Sequence, residues 1–295
     1  MTPAAMAPPR TRRTAPYVER LVERDGKSIY VRDYPGPEPA LVVMHGFPDA
    51  MELYDLLLPH LIGRRRLVLF DFIGWGRSDK GEGIAYTFDH LKRDLDAVIE
   101  QLGLQRPDLV AHDASGPPAI EWAIEHANAV GRLVLLNTFY MMTPGLRPPE
   151  GVLLYMLPGL KYLVRYVNSA SRGKFNRALY HWQLRRFIRD PHVKAWFVPY
   201  LYTGWVSSWP AFRDLVGSLF WYSMSRARGW RINRLRAYTG RVRIIFGARD
   251  PYLNVHVARR FARLFPNADL FLLDRACHYV QVDEPATVAE LILGT

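Results

Sequence analysis

Six short apolar runs, Leu41–Met44, Leu67–Phe70, Asp108–Ala111, Leu133–Leu136, Arg241–Phe246 and Leu270–Leu273, recur along the chain. Each has the length of a buried strand and ends near turn-forming residues. Between the first four, Met51–Ile62 and Phe88–Leu102 carry apolar residues at helical spacing. Strands that alternate with helices build a mostly parallel sheet, because parallel neighbours need a crossover to join them. The expectation is an α/β fold with a mostly parallel twisted sheet flanked by helices. Val18–Glu23 and Ser28–Asp33 flank Asp25-Gly26, which predicts an antiparallel hairpin at the start of that sheet. At 295 residues the chain suits one domain with an insertion better than two independent domains.

Leu109–Ala111 leads into His112-Asp113-Ala114-Ser115-Gly116-Pro117-Pro118, a sharp strand-to-helix turn with a carboxylate at its centre. Such a turn needs small residues two places before and two or three after the exposed side chain. Ala111, Ser115 and Gly116 meet that need when Asp113 is the centre. With Ser115 at the centre, Asp113 and Pro117 would occupy the crowded positions. The competing reading of Asp113 is an ordinary N-cap for the helix that begins near Pro117.

Further segments follow in a fixed order. Val42–Met44 runs into His45-Gly46-Phe47-Pro48, where the Phe47 N–H is a candidate half of an oxyanion hole and the Ala114 N–H the other half. Arg241–Phe246 is followed by Gly247-Ala248-Arg249-Asp250-Pro251, a turn with one carboxylate, and Leu270–Leu273 by Ala276-Cys277-His278-Tyr279. Nucleophile, acid and histidine thus run Asp113, Asp250, His278.

With Asp71-Phe72-Ile73-Gly74-Trp75-Gly76-Arg77-Ser78-Asp79-Lys80, these motifs make residues 17 to 293 resemble the aspartate-nucleophile branch of the α/β-hydrolase fold, which holds epoxide hydrolases and haloalkane dehalogenases. The resemblance implies a core of residues 17–137 and 236–295 with a helical cap, 138–235, inserted after the strand at Leu133–Leu136. In the implied reaction Asp113 attacks a saturated carbon to form an ester, His278 activates the water that cleaves it, and Asp250 orients the imidazole. An epoxide leaves as an alkoxide and needs a proton. Epoxide hydrolases take it from lid tyrosines in segments that resemble Ala178-Leu179-Tyr180-His181-Trp182 and Leu219-Phe220-Trp221-Tyr222, which nominates Tyr180 and Tyr222.

Haloalkane dehalogenases, and many epoxide hydrolases, place tryptophan after the nucleophile, where this chain has Ala114, and dehalogenases often have asparagine where it has Phe47. The segments Asp71–Lys80 and Tyr86–Asp89 are nonetheless closer to dehalogenases, and His181 with Trp182 is an alternative halide pair. The readings that stay open are an epoxide hydrolase, a haloalkane dehalogenase-like enzyme and a non-catalytic small-molecule receptor.

From Thr138 to Leu235 there are fifteen Lys and Arg against three acidic residues, more than the +11 of the whole chain, so the remainder is nearly neutral. Without a nucleic-acid motif this basic, aromatic-rich stretch reads first as a solvated surface, and otherwise as a wall for a small apolar substrate or a field for an acidic partner, an anionic lipid surface or a fatty-acid-like substrate. The apolar segment Gly151–Val164, broken at Pro158-Gly159, is either a helix over the active site or a surface for peripheral membrane contact or a second subunit. His45 and His112 read as structural, and Cys277 as a small packing residue. One cysteine suits the cytoplasm. Residues 1–16 read as a disordered tail, and no run is long and apolar enough to span a membrane. No cluster has metal-ligand spacing and no Gly-rich phosphate loop is present, so no cofactor is expected.

Overall fold

The computed structural model describes residues 16–294 apart from Glu82, Pro158 and 225–227, and apart from the side chains of Phe220, Trp221, Ser223, Met224 and Arg228. The predicted tail, except Pro16, and the Pro158 half of the predicted break therefore lie outside the described residues.

The chain opens with β1 (Val18–Arg24) and β2 (Lys27–Tyr34), followed by β3 (Leu41–Met44), α1 (Leu58–Leu61), β4 (Leu67–Phe70), α2 (Phe88–Gln101), β5 (Asp108–Asp113), α3 (Gly116–Glu125) and β6 (Arg132–Thr138). Helices α4 (Glu150–Met156), α5 (Leu160–Ala170), α6 (Lys174–Leu184), α7 (Pro191–Trp205), α8 (Trp209–Met224) and α9 (Arg228–Ala237) then follow, with no intervening strand among the described residues. The chain returns to the sheet with β7 (Arg241–Gly247), α10 (Val255–Ala262), β8 (Ala268–Leu273), α11 (Val280–Asp283) and α12 (Pro285–Leu293).

The strands pair in the order β1-β2-β4-β3-β5-β6-β7-β8. The β1–β2 and β2–β4 pairs are antiparallel, and every pair from β4 through β8 is parallel. Asp25 and Gly26 turn the hairpin with φ of 53° and 70°, the left-handed backbone that the Asp-Gly signal predicts. All four residues of β3 and of β4 are buried, as continuous apolar runs in a doubly covered sheet require.

Helix α2 shows how the sequence fixes the layer beside the sheet. Thr87 caps it by accepting the His90 N–H at 3.3 Å, and Leu91, Leu95 and Val98 form the buried stripe. Asp94 lies on the same face, pairs with Arg24 at 2.6 Å and accepts the Ile73 N–H at 3.0 Å, so the helix also anchors the loop after β4.

One expectation is corrected. Met51–Ile62 is not a single helix: a 3-10 turn over Met51–Tyr54 and the short α1 divide it. Pro59 has no N–H to bond the carbonyl four residues back, and it fits only the first turn of a new helix, where it sits.

Candidate active site

β5 lies between β3 and β6, and the pairing with β6 shifts register between His112 and Asp113. At that break Asp113 adopts φ 49°, a backbone that few residues other than glycine take, and α3 starts three residues later. The turn is pinned from both sides. The Thr138 hydroxyl donates to the Asp113 carbonyl oxygen, and Ser115 Oγ donates to the carbonyl oxygens of His112 at 2.8 Å and Met44 at 3.1 Å. Ser115 is wholly buried by these bonds, which removes it as a competing nucleophile. Gly46 is the close approach that lets the loop after β3 meet the turn: a Cβ there would lie 2.7 Å from both Asp113 Cβ and His112 Nδ1.

The N-cap reading of Asp113 fails on geometry, since Ser115 holds that position. Instead Asp113 Oδ2 accepts the Phe47 N–H at 3.1 Å, and the adjacent Ala114 amide also favours the charged carboxylate. The side chain is one-fifth exposed and lines a cavity. Burial pushes its carboxyl above the ordinary range, while His278 and the two amides pull it back.

Asp113 Oδ1 faces His278, whose Nε2 lies 3.8 Å away. On the other side of the ring, Nδ1 lies 2.7 Å from Asp250 Oδ2. Burial alone would lower the imidazole pKa, but Asp250 outweighs it, with help from Asp113 and Asp49, and holds the pKa above its ordinary value. Asp250 is itself stripped of water, yet His278, the Tyr252 amide and the Asn137 side chain keep its carboxyl below the usual range. The turn after β7 supplies the amides: Tyr252 N and Leu253 N donate to Oδ1 at 2.8 and 3.1 Å. Asn137, near the end of β6, donates to Oδ2 at 2.8 Å.

The cavity above this group is almost wholly apolar and is walled by the inserted helices, with Tyr155, Leu179, Tyr180, Trp205 and Trp209 among its lining. Tyr180 is buried there, and its hydroxyl donates to Asp49 Oδ1 at 3.1 Å. The Tyr279 hydroxyl donates to Oδ2 of the same carboxylate. Asp49 follows Pro48 in the loop after β3; burial raises its pKa to about 7 against two hydroxyl donors, and the charge of Asp113 adds to the rise. The indole N–H of Trp205, whose ring centroid is 4.7 Å from that of Tyr180, is buried with no acceptor among the described residues.

Of the nominated residues, Asp113, Asp250, His278, Phe47, Ala114 and Tyr180 converge on one place. Tyr222 does not join them. Its hydroxyl donates to the Tyr140 carbonyl oxygen at 2.7 Å and its ring packs against Phe88, away from the cavity wall. The alternative halide pair is also dispersed: Trp182 is 43% exposed, under the Arg186 guanidinium, and neither it nor His181 lines the cavity. Cys277 is buried, its Sγ 3.0 Å from the Arg186 carbonyl oxygen, and burial pushes the thiol up to about 12, so it is no thiolate. His45 is buried with its pKa driven down to about 4 by loss of water, and His112 Nε2 bonds the His278 carbonyl oxygen at 3.1 Å.

Sequence reasoning missed Asp49 and Asn137. The first had a usable signal, an acid directly after the His45–Pro48 loop; the second, an amide ending an apolar strand, had almost none.

A family model described as "alpha/beta hydrolase fold" matches residues 39–285. The cis-3-alkyl-4-alkyloxetan-2-one decarboxylase of Xanthomonas campestris is 28% identical over 285 residues, covering 90% of this chain and 91% of its own. Epoxide hydrolase 2 of Caenorhabditis elegans is 24% identical over 274 residues, covering 88% of this chain and 74% of its own. Among solved structures, an epoxide hydrolase from Vigna radiata superposes with a TM-score of 0.73 over 94% of this chain and 97% of that one, at 18% identity, a likeness of fold.

Proposed function

The chain belongs to the alpha/beta hydrolase fold family, and from that premise we propose that it opens a strained oxygen ring, an epoxide on an apolar chain, through an ester on Asp113. One observation carries the reading: a carboxylate stands where a proton-bearing nucleophile would need a base, one oxygen tied to the Phe47 amide and the other turned to a histidine. Because Oδ2 is held by the Phe47 amide, Oδ1 attacks the ring carbon. The carbon–oxygen bond of the ring breaks, and its electron pair goes to the departing oxygen.

That oxygen needs a proton, since an alkoxide has a conjugate acid of pKa ~16. Tyr180 supplies it. While Asp49 is ionised, Tyr180 is a poor donor, because burial and that charge raise its pKa well above the ordinary phenol value. Protonated Asp49 can instead donate to the Tyr180 oxygen, which turns the phenol O–H toward the cavity and replaces the proton that leaves.

In the second step His278 takes a proton from water, and the hydroxide adds to Asp113 Cγ. The charge that develops falls on Oδ2, which already accepts the Phe47 N–H, with the Ala114 amide as the nominated second donor. Collapse expels the alkoxide, which takes the proton held by His278, and the remaining proton of the added hydroxyl restores Asp49, leaving a carboxylate that carries one oxygen from water. Residues 138–235 serve as the cap that keeps bulk water from this ester.

A second reading is favoured by the state of the cavity tyrosines. Tyr155, Tyr180 and Tyr252 all donate their hydroxyls to protein acceptors. An oxetan-2-one, the ring in the name of the Xanthomonas relative, leaves as a carboxylate and needs no proton, given a pKa near 4. Attack of Asp113 on the ring carbon bearing oxygen breaks that carbon–oxygen bond. The freed carboxylate then departs as CO2, its electrons forming a C=C bond as the ester oxygen returns to Asp113.

Single turnover in heavy-oxygen water, followed by mass spectrometry of the peptide holding Asp113, tests the first reading. One heavy oxygen in Asp113 and a diol product are expected, and His278→Gln accumulates an adduct of the intact epoxide mass. Label in the product alone, with no adduct on Asp113, overturns it. An alkene from an oxetanone without label in Asp113 selects the second reading.

A further inference from the structure

α5 is unlike the other inserted helices in how little of it is covered. Leu160 and Val164, one turn apart, face the protein, and the principal contacts of the helix are with α4 and α6. The outer side holds Tyr162, Leu163 and Tyr166, exposed by 66, 57 and 72%, and Val167, exposed by 36%, continues it to the edge of the buried face. Spacings of three and four residues, Leu163 to Tyr166, Tyr162 to Tyr166 and Leu163 to Val167, gather these four into one continuous apolar stripe. Scattered single apolar residues need no explanation, but a joined aromatic and aliphatic stripe does.

The stripe is edged by positive charge. Lys161 and Arg165 flank it on α5, and exposed Arg172, Lys174 and Arg177 follow at the start of α6. The three acids of the stretch 138–235 are engaged elsewhere. Glu150 binds Arg186 and Tyr252, Asp190 caps α7, and Asp214 pairs with Arg213. Among the described residues, therefore, no carboxylate of this stretch neutralises the five cations. Lys161 instead lies 5.3 Å from the centre of the Tyr162 ring, which links the charged edge to the apolar stripe.

A second copy of this chain suits the face poorly, because a two-fold contact would oppose one set of five cations with another. An anionic bilayer complements both parts: its phosphates meet the Lys and Arg, and its acyl boundary takes the Leu and Val while the Tyr rings sit at the headgroup level. The helices that hold α5 also wall the cavity, through Tyr155 and Met156 on α4 and Leu179 and Tyr180 on α6. An apolar substrate dissolved in a bilayer would thus meet the protein on the side where its cavity is built. We propose that α5 and the start of α6 form a docking surface for an anionic phospholipid membrane.

Flotation of the full chain with vesicles of phosphatidylcholine, alone or mixed with phosphatidylglycerol, tests this. Binding to the mixed vesicles alone is expected, with release at about 0.5 M salt, where the Debye length falls to about 4 Å. Each surface cation is worth about fivefold in partition, so Lys161→Gln with Arg165→Gln weakens binding about 30-fold. Replacing Tyr162, Leu163 and Tyr166 together by serine weakens it at least about tenfold while leaving the circular dichroism spectrum unchanged. The proposal is overturned by no binding, by equal binding to neutral vesicles, by full binding of either variant, or by a dimer that the triple variant dissociates. None of these results depends on turnover, so the docking surface and the proposed chemistry stand or fall separately.

Discussion

Asn137 and Asp250, separated by 113 residues in sequence, share a 2.8 Å hydrogen bond, and the other end of the Asn137 amide accepts the Gly247 N–H at 2.8 Å. One side chain thus ties the end of β6 to both the base and the carboxylate of the turn after β7. Replacing it leaves a buried N–H without a partner and one carboxylate oxygen short of a donor. Asn137→Ala is expected to lower stability by about 2–3 kcal/mol and to slow ester cleavage about tenfold, as Asp250 loses part of its hold on His278. Urea unfolding and single-turnover decay of the ester check the two parts; unchanged ester decay would remove Asn137 from the positioning group.

The pH dependence follows from the direction of the His278 shift. Its folded pKa is raised, chiefly by Asp250 acting against burial. The charged ring therefore adds stability that is complete below the unfolded value of about 6.5 and is lost as pH rises through the folded value. In the proposed reaction water activation needs the neutral ring, so ester cleavage is gained over that same upper range. Ester decay measured against pH is expected to show an acid limb with its midpoint above about 6.5, and Asp250→Asn is expected to move it downward. A midpoint that does not move contradicts the assignment.

Asp49 also costs stability as pH rises, but over a lower range and because burial penalises its charged form. Burial favours its protonated form and holds its pKa near about 7, so its effect on stability is most favourable below about pH 4 and is surrendered as pH rises toward 7. The surrendered amount is at most about 4 kcal/mol. Asp49→Asn should flatten the stability profile between pH 4 and 7, read from urea midpoints at each pH. If Asp49 arms Tyr180, both Asp49→Asn and Tyr180→Phe slow ester formation on an epoxide by roughly 10²–10⁴-fold, with ester cleavage less affected. Rapid-quench measurement of the two steps separates these effects from a general loss of fold.

Gly46 offers a steric test. Gly46→Ala puts a methyl 2.7 Å from Asp113 Cβ and His112 Nδ1, so the loop after β3 must retreat and carry the Phe47 amide away from Asp113 Oδ2. Loss of one such donor costs about 10²–10³ in rate, with destabilisation of about 1–3 kcal/mol. The exposed Gly26, with φ 70° and nothing within 4 Å of an added Cβ, serves as a control. Gly26→Ala is expected to cost about 1 kcal/mol and no activity. Equal activity losses in the two variants would argue against the steric account.

What could be read in the chain beforehand follows from how each signal is encoded. β3, β4 and β5 are buried on both faces, so their residues had to form uninterrupted apolar runs, and those runs stand out. The turn at Asp113 was readable because its crowding admits only small neighbours, and Ala111, Ser115 and Gly116 are a local record of that constraint. Tyr222 was misassigned because α8 is apolar on more than one side; with no single stripe, sequence gives no way to tell the cavity wall from the side that packs on Phe88. Met51–Ile62 had the right period and the wrong continuity, since periodicity registers which residues are buried and not the N–H that Pro59 lacks. Asp49 and Asn137 are single polar residues whose meaning arises only from partners 131 and 113 positions away.

Cys277 is the only thiol of the chain, and it is closed in between the histidine loop and the inserted helices, against the carbonyl oxygen of Arg186. Beside it, the Tyr279 N–H bonds the carbonyl oxygen of Phe187 at 3.1 Å. A thiol-modifying reagent can reach the sulfur only when that seam parts, so the rate of labelling is a clock for how often the helices lift from the loop that carries His278. The molecule therefore holds its own reporter of opening, with no probe to introduce and one residue to follow.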